Sequence, residues 1–197
     1  MSDNQVNQKR RRLLIGVTSA IGAVGVGGIA VPFIGSWSPS ARARAAGAPV
    51  KADISKLEPG QMVIIEWRGK PVFVVRRTEE TLANLTKRDD ALRDPNCEEG
   101  EQPEYVSKIH RSIKPEYLVL TGICTHLGCS PKFRPELAPE DLGEEWLGGF
   151  FCPCHGSRFD LAGRVFKGVP APTNLTVPPY KYISDTTIVI GVDGEEA

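Results

Sequence analysis

Three things are scarce in this chain: net charge, histidine and repetition. Lysine and arginine together number 24, and so do aspartate and glutamate. Only three histidines occur in 197 residues. No internal repeat or low-complexity tract is present, which excludes a solenoid or other repeat array. The zero net charge conceals an asymmetry. Residues 1–50 hold Lys9, Arg10, Arg11, Arg12, Arg42 and Arg44 against the single acid Asp3, leaving 18 basic and 23 acidic residues for the rest. A body that is mildly acidic lacks the basic face by which nucleic-acid-binding domains neutralise phosphates, so no nucleic-acid partner is expected. Hydrophobic residues make up 41% of the chain, enough for a core, and the length suits one domain with appendages.

The run Leu13 to Trp37 contains 25 residues without a charge and directly follows Lys9-Arg10-Arg11-Arg12. Crossing a bilayer core takes roughly 20 apolar residues, so the run is long enough to serve as a transmembrane anchor. Its glycines would weaken a soluble helix but are tolerated in lipid. The positive-inside rule keeps the basic tail in the cytoplasm and sends everything after Trp37 outward. Consecutive arginines ahead of an apolar stretch also suit a twin-arginine export signal. The alternative is a cleaved signal peptide, since Ala41-Arg42-Ala43 and Ala46-Gly47-Ala48 offer small-residue cleavage patterns, but the apolar run exceeds the roughly 7–15 residues of a signal core. The expected organisation is a cytoplasmic basic tail (1–12), a single transmembrane anchor (13–37), a small-residue flexible linker (38–49) and a head (50–197). The head then lies on the periplasmic side of a bacterial inner membrane.

The head reads as all-β. Met62 to Trp67 and Pro71 to Val75 are rich in β-branched and aromatic residues and flank Arg68-Gly69-Lys70, a hairpin signal. Thr78-Glu79-Glu80 supplies a cap and an acidic first turn for a short helix bearing Leu82 and Leu85. Asp89 to Glu104 is charged and proline-containing, and is expected to be a surface loop. Tyr117 to Leu120 is a strand leading toward Cys124. Tyr180–Ile183 and Thr187–Val192 form a closing hairpin around Ser184-Asp185. Short, closely spaced strands with little helix indicate an antiparallel β-sandwich.

Four of the five cysteines and two of the three histidines fall into two boxes, Cys124-Thr125-His126-Leu127-Gly128-Cys129 and Cys152-Pro153-Cys154-His155-Gly156-Ser157. Each supplies one Cys and one His at metal-ligand spacing, Cys-x-His and Cys-x-x-His, and each leaves one cysteine over. Two chemistries could use this set. Tetrahedral zinc accepts two thiolates and two imidazoles. A Rieske centre takes two Cys on one iron and two His on the other. Outside the cytoplasm the spare Cys129 and Cys154 can form a disulfide bracing the two loops, whereas zinc knots usually recruit every nearby cysteine. This weighs toward iron–sulfur without removing zinc.

At these residues the chain resembles the Rieske subunits of the ubiquinol–cytochrome c reductases of respiratory chains. The likeness continues into Gly168-Val169-Pro170-Ala171-Pro172, similar to the proline loop that shields the cluster in that family, and covers anchor, linker and head. The resemblance implies one 2Fe-2S cluster per subunit in a cluster-binding subdomain spanning about 121–172. Cys124 and Cys152 would ligate the inner iron, His126 and His155 the outer iron, and Cys129 and Cys154 would be the disulfide. Leu127 and Gly128 would shape an apolar tip that docks on cytochrome b. Ser157 would donate a hydrogen bond to a bridging sulfide, and Pro170 would shield the cluster. His155, or failing that His126, would contact quinol and accept its proton. A swing on the 38–49 linker would then deliver the electron to a c-type cytochrome within a dimeric multisubunit complex. The chain alone would complete no turnover.

One position departs from that pattern. The second box is often followed by a tyrosine whose hydroxyl bonds a ligand cysteine, and here Phe159 stands there. Losing a donor predicts a lower midpoint potential. Elsewhere the plain readings prevail: Cys97 as a free surface thiol or filler, His110 as a solvated or core-satisfied side chain, Glu136 to Glu145 as a solvated insertion, Trp67 and Phe73 as core. Competing functions are the small Rieske subunit of an arsenite-oxidase-type enzyme, a soluble Rieske ferredoxin or ring-hydroxylase entry domain (against which Cys129 and Cys154 speak), and a zinc-stabilised exported binding module.

Overall fold

The computed structural model describes residues 7–99 and 102–193. The first six residues of the expected basic tail, Gly100 and Glu101 of the expected surface loop, and the last four of the head lie outside that range. The chain divides into a helical N-terminal unit ending at Ala45 and a head from Ala46 onward.

The first unit is dominated by helix α1, Gln8–Ser36. Asn7 caps it, its Oδ1 accepting from the backbone N–H of Lys9 at 3.1 Å and Arg10 at 3.2 Å. At about 1.5 Å per residue its 29 residues extend about 43 Å, long and apolar enough to cross a membrane. Among the described residues nothing buries α1, and two of its hydroxyls bond within the helix, Thr18 Oγ1 donating to Leu14 O and Ser36 Oγ to Phe33 O, both at 2.7 Å. The expected linker is not wholly irregular. Ala41–Ala46 forms a short helix α2, because alanine is the best helix former and Ser40 caps it through its hydroxyl, which accepts from Ala43 N at 3.1 Å.

Among the described residues the head contains nine strands in three antiparallel three-stranded sheets. They are β1 (Val50–Asp53), β2 (Met62–Trp67), β3 (Lys70–Arg76), β4 (Tyr117–Thr121), β5 (Lys132–Arg134), β6 (Gly149–Phe151), β7 (Arg158–Asp160), β8 (Tyr180–Ser184) and β9 (Thr187–Ile190), and the sheet orders are β1-β9-β8, β2-β3-β4 and β5-β6-β7. The β2–β3 hairpin turns on two residues, Arg68 (φ 53°) and Gly69 (φ 69°), with Trp67 paired to Lys70. Two left-handed residues match the twist of the flanking strands, so Lys70 joins the strand rather than the turn.

Val72 to Val75 in β3 and Leu118 to Leu120 in β4 are buried without alternation, the pattern of strands covered on both faces. Phe73, which shares a face with its partner Leu120, stacks on Phe150 of β6 with ring centroids 5.7 Å apart. The opposite face meets the first sheet: a Cβ on Gly191, just past β9, would come within 2.5 Å of the Trp67 ring nitrogen. β2-β3-β4 is thus the middle layer, bearing the terminal sheet on one side and the β5-β6-β7 sheet on the other. Phe73 is core, and Trp67 packs against it half-buried.

Helix α3 (Glu79–Asn84) starts as expected at Thr78, whose hydroxyl accepts from Thr81 N at 3.1 Å. The 89–104 segment is more than a surface loop. It opens with a short 3-10 turn, Asp89–Ala91, Leu92 bridges to Phe166, and Cys97 is buried. Cys97 is therefore filler and not a surface thiol: Asn174 Nδ2 donates to its sulfur at 3.6 Å, and burial pushes its thiol up in pKa. His110 is half-buried and held below the usual imidazole range, first by burial and then by Arg77 and Arg164.

Three buried arginines hold the β5-β6-β7 layer to the rest. Arg77 Nη1 donates to Leu161 O (3.0 Å) and His110 O (2.8 Å), and Arg111 Nη1 to Ala162 O (3.2 Å) and Gly163 O (3.1 Å). Arg164 pairs with Asp160 at 2.8 Å and Asp89 at 2.9 Å. All three converge on the turn after β7. Burial lowers Arg77 to about 10 despite the nearby Asp160.

Candidate metal centre

The two boxes occupy loops at one end of the β5-β6-β7 sheet: the first links β4 to β5, the second links β6 to β7. Their backbones repeat one design. In the first, Cys124 N donates to Cys129 O (2.7 Å) and Gly128 N to Cys124 O (3.0 Å). In the second, Cys152 N donates to Ser157 O (2.8 Å) and Gly156 N to Cys152 O (2.9 Å). The glycine four residues after each leading cysteine is left-handed, φ 84° at Gly128 and 74° at Gly156, a conformation that glycine adopts without Cβ strain.

This repeat brings Cys124 and Cys152 together, both 2% exposed. Burial is the main influence raising the Cys124 thiol; the His126 backbone N–H and the Ser157 hydroxyl oppose it, while the neighbouring Cys152 thiol reinforces it. The His126 and His155 rings meet edge-on at 4.7 Å between centroids. Cys129 and Cys154 are joined as a disulfide across 25 residues, binding loop to loop. The sulfurs of Cys129, Cys152 and Cys154 lie within 4.8 Å of one another, but the two in the disulfide have no free thiolate for a metal.

A third loop completes the end. Ala171 N donates to the fully buried Ser157 Oγ at 3.1 Å, and Thr125 Oγ1 to Thr173 O at 2.8 Å, so the 168–172 loop is fastened to both boxes. Ala171 is buried; Pro170 is exposed. Leu127 stands 70% exposed at the tip beside Gly128. Phe159 is fully buried in β7 opposite Phe150.

The donor set fits an iron–sulfur or other metal group in one telling respect. His126 Nδ1 is buried with no hydrogen-bond partner among the described residues, which would cost about 1–3 kcal/mol if nothing occupied it. That nitrogen and two adjoining buried free thiols are what a group taking both sulfur and imidazole ligands requires. Sequence reasoning found both boxes and the proline loop but missed Thr125 as a tie and the three arginines behind the sheet. Their signal was faint, since isolated arginines are usually solvated.

Comparison with known proteins accords with this geometry. Residues 1–40 match the family described as "Ubiquitinol-cytochrome C reductase Fe-S subunit TAT signal", and residues 49–181 match "Rieske [2Fe-2S] domain". The ubiquinol-cytochrome c reductase iron-sulfur subunit of Allochromatium vinosum is 63% identical over 193 residues, 98% of this chain and 93% of the relative. That of Blastochloris viridis is 45% identical over 193 residues, 96% and 97% of the two chains. A solved chain titled "Hyperthermophilic respiratory Complex III" is 28% identical, covers 88% of this chain and 97% of its own, and overlays with a TM-score of 0.48. Anchor, head and paired loops together place this chain in the family of Rieske 2Fe-2S iron–sulfur subunits of ubiquinol–cytochrome c reductase.

Proposed function

We propose that this chain carries electrons from a quinol to a c-type cytochrome as the Rieske subunit of a respiratory complex III. The observation that carries the reading is the pair of matching loops that gather Cys124, Cys152, His126 and His155 at one end of the head. When bound, a 2Fe-2S cluster supplies a one-electron acceptor whose potential is raised because two neutral imidazoles stand where ferredoxins have thiolates. Cys124 and Cys152, the buried pair, would hold the inner iron, and His126 and His155 the outer.

The two histidines differ in access. His155 is exposed while His126 is half-buried, so His155 offers its outward ring nitrogen to a quinol hydroxyl and takes the proton there; His126 is the second candidate. Leu127 and Gly128 present an apolar, backbone-bare tip for docking on cytochrome b. Ser157, sealed behind Ala171, directs its hydroxyl toward Cys124 and favours the reduced, more negative state. The loop bearing Pro170 keeps water from the thiolates. α1 holds the head to a bacterial inner membrane as a single pass, with the head on the periplasmic side. The 38–49 segment, with α2 within it, is the hinge on which the head moves between cytochrome b and the c-type cytochrome of a dimeric complex.

Redox titration of the purified full-length protein, followed by electron paramagnetic resonance across pH, tests the reading. A reduced-state signal is expected, with a midpoint that falls as pH rises, because reduction takes up a proton at a ligand histidine. Zinc in place of iron and acid-labile sulfide would sink it. Prolines at Ala43 and Ala45 break α2 and stiffen the hinge. They slow quinol-driven turnover with the cluster spectrum unchanged; unchanged turnover removes the moving-head step.

A further inference from the structure

The acidic residues of the head are segregated. Residues 117–135, 146–159 and 161–184, which supply both cluster loops and the proline loop, contain no Asp or Glu. Against this end runs a groove of about 450 Å³. Gly156 and Arg158 of the second cluster loop line it on the box side, Lys167 and Gly168 on the approach to the proline loop, and Trp146 and Phe166, stacked with centroids 6.1 Å apart, lie between them in the lining. Both lining glycines are left-handed, φ 74° and 72°, with nothing within 4 Å of where a Cβ would stand. An incoming chain can therefore approach bare backbone on both sides.

The charge in the groove is unspent. The Arg158 guanidinium has no hydrogen-bond or ion-pair partner among the described residues, and Lys167 Nζ has one neutral acceptor, Asp90 O, at 2.9 Å. Farther back, Arg88 is neutralised by Glu145 at 2.8 Å. Two cations without a carboxylate partner among the described residues thus line the groove with an aromatic pair, beside the loop that carries His155.

We propose that this groove receives an acidic protein segment from an electron-transfer partner, with carboxylates on Arg158 and Lys167 and an apolar side chain on the half-buried Phe166. The inference rests on the reading of the tip as a docking end. A protein segment is favoured over a lipid headgroup because an aromatic pair lines the groove together with the cations, and because the groove adjoins the loop to which an electron partner must come. Opposite charges across an interface chiefly speed encounter and fix orientation.

The test is quinol-driven cytochrome reduction by the intact complex over a series of ionic strengths, comparing wild type with Arg158→Gln/Lys167→Gln. Two partly exposed charge pairs predict a turnover about three- to ten-fold lower at low ionic strength and a flattened salt dependence. The iron content and resonance spectrum stay those of wild type, and Arg158→Lys/Lys167→Arg restores the rate. Wild-type rate and salt slope in the double glutamine variant overturn the groove assignment and leave the electron-carrier reading standing. No quinol-dependent reduction in the wild type overturns that reading, and the groove with it. A defect seen in nanodiscs of anionic lipid but absent in neutral ones assigns the groove to a headgroup and also overturns the proposal.

Discussion

The two cluster loops share a backbone and differ in what they show to solvent. Each begins with a buried cysteine, closes the same pair of hydrogen bonds and turns on a left-handed glycine. The first places its histidine two residues after the cysteine, half-buried with Nδ1 unpartnered; the second places it three residues after, exposed. The sixth position is a disulfide cysteine in one and the sealed Ser157 in the other. A common scaffold thus fixes where the sulfurs stand, while a one-residue offset decides which imidazole faces outward. Equivalence belongs to the cysteines and asymmetry to the histidines.

The largest expected effect tests the equivalence. Cys124→Ser and Cys152→Ser should each abolish the cluster, read as loss of acid-labile sulfide and of the reduced-state resonance, because each buried thiolate lacks a substitute. Survival of a cluster in either variant would break the pairing.

Next in size is the disulfide that ties the loops. For a 25-residue separation, its removal should cost about 3 kcal/mol by chain entropy. Denaturation of Cys129→Ser, Cys154→Ser and the double variant should give three similar losses, since either single change opens the same bond. A double variant much weaker than both singles would mean that the free thiols do something besides bridging.

How much of this was legible beforehand follows from range. Both boxes, the β2–β3 hairpin and the Thr78 cap are local, written in contiguous residue types, and could be read off. The family resemblance carried the role assignments, which no spacing dictates. The repeat of the two loops was invisible because it lives in backbone hydrogen bonds: the boxes share only their leading Cys and the glycine four residues later. Between a surface thiol and filler the sequence does not choose for Cys97, because its burial depends on Asn174, 77 residues away. Nothing local in the sequence marks Arg77, Arg111 and Arg164, and only the fold gathers them at the turn after β7. The α2 helix was lost to a reading of small residues as irregular, although alanine and a Ser cap favour a helix.

A smaller effect sharpens the asymmetry. Phe159 lies in β7, two residues beyond Ser157, so Phe159→Tyr adds a hydroxyl beside the second loop alone. A hydrogen bond to the cluster side that favours the reduced form by about 1 kcal/mol raises a one-electron midpoint by about 40 mV. Redox titration should show a rise of that order, with fold stability unchanged. No rise would mean that the tyrosine hydroxyl finds no ligand sulfur in this chain, and the lowered potential expected of Phe159 would fall with it.

The smallest effect comes from the far end of the β5–β6 hairpin that joins the loops. The 136–145 insertion is not merely solvated, for Leu142 and Trp146 are buried at its end, and Arg134 pairs with Asp141 at 2.8 Å and Glu136 at 3.1 Å. The Arg134 hydrogen bond holds Asp141 below the usual carboxylate range. With a folded pKa depressed below 3.8, the pair's contribution is fully present above that value and is lost as pH falls through the folded one. Because Asp141 is solvated, Asp141→Asn should lower stability only slightly at pH 7, and the gap from wild type should close in acid below pH 3.8, as urea midpoints across pH would record. The resonance spectrum should not change, since the pair lies at the opposite end of the hairpin from both cysteines. A spectral shift would show that the insertion sets the geometry of the loops, and the scaffold could no longer be counted as the two boxes alone.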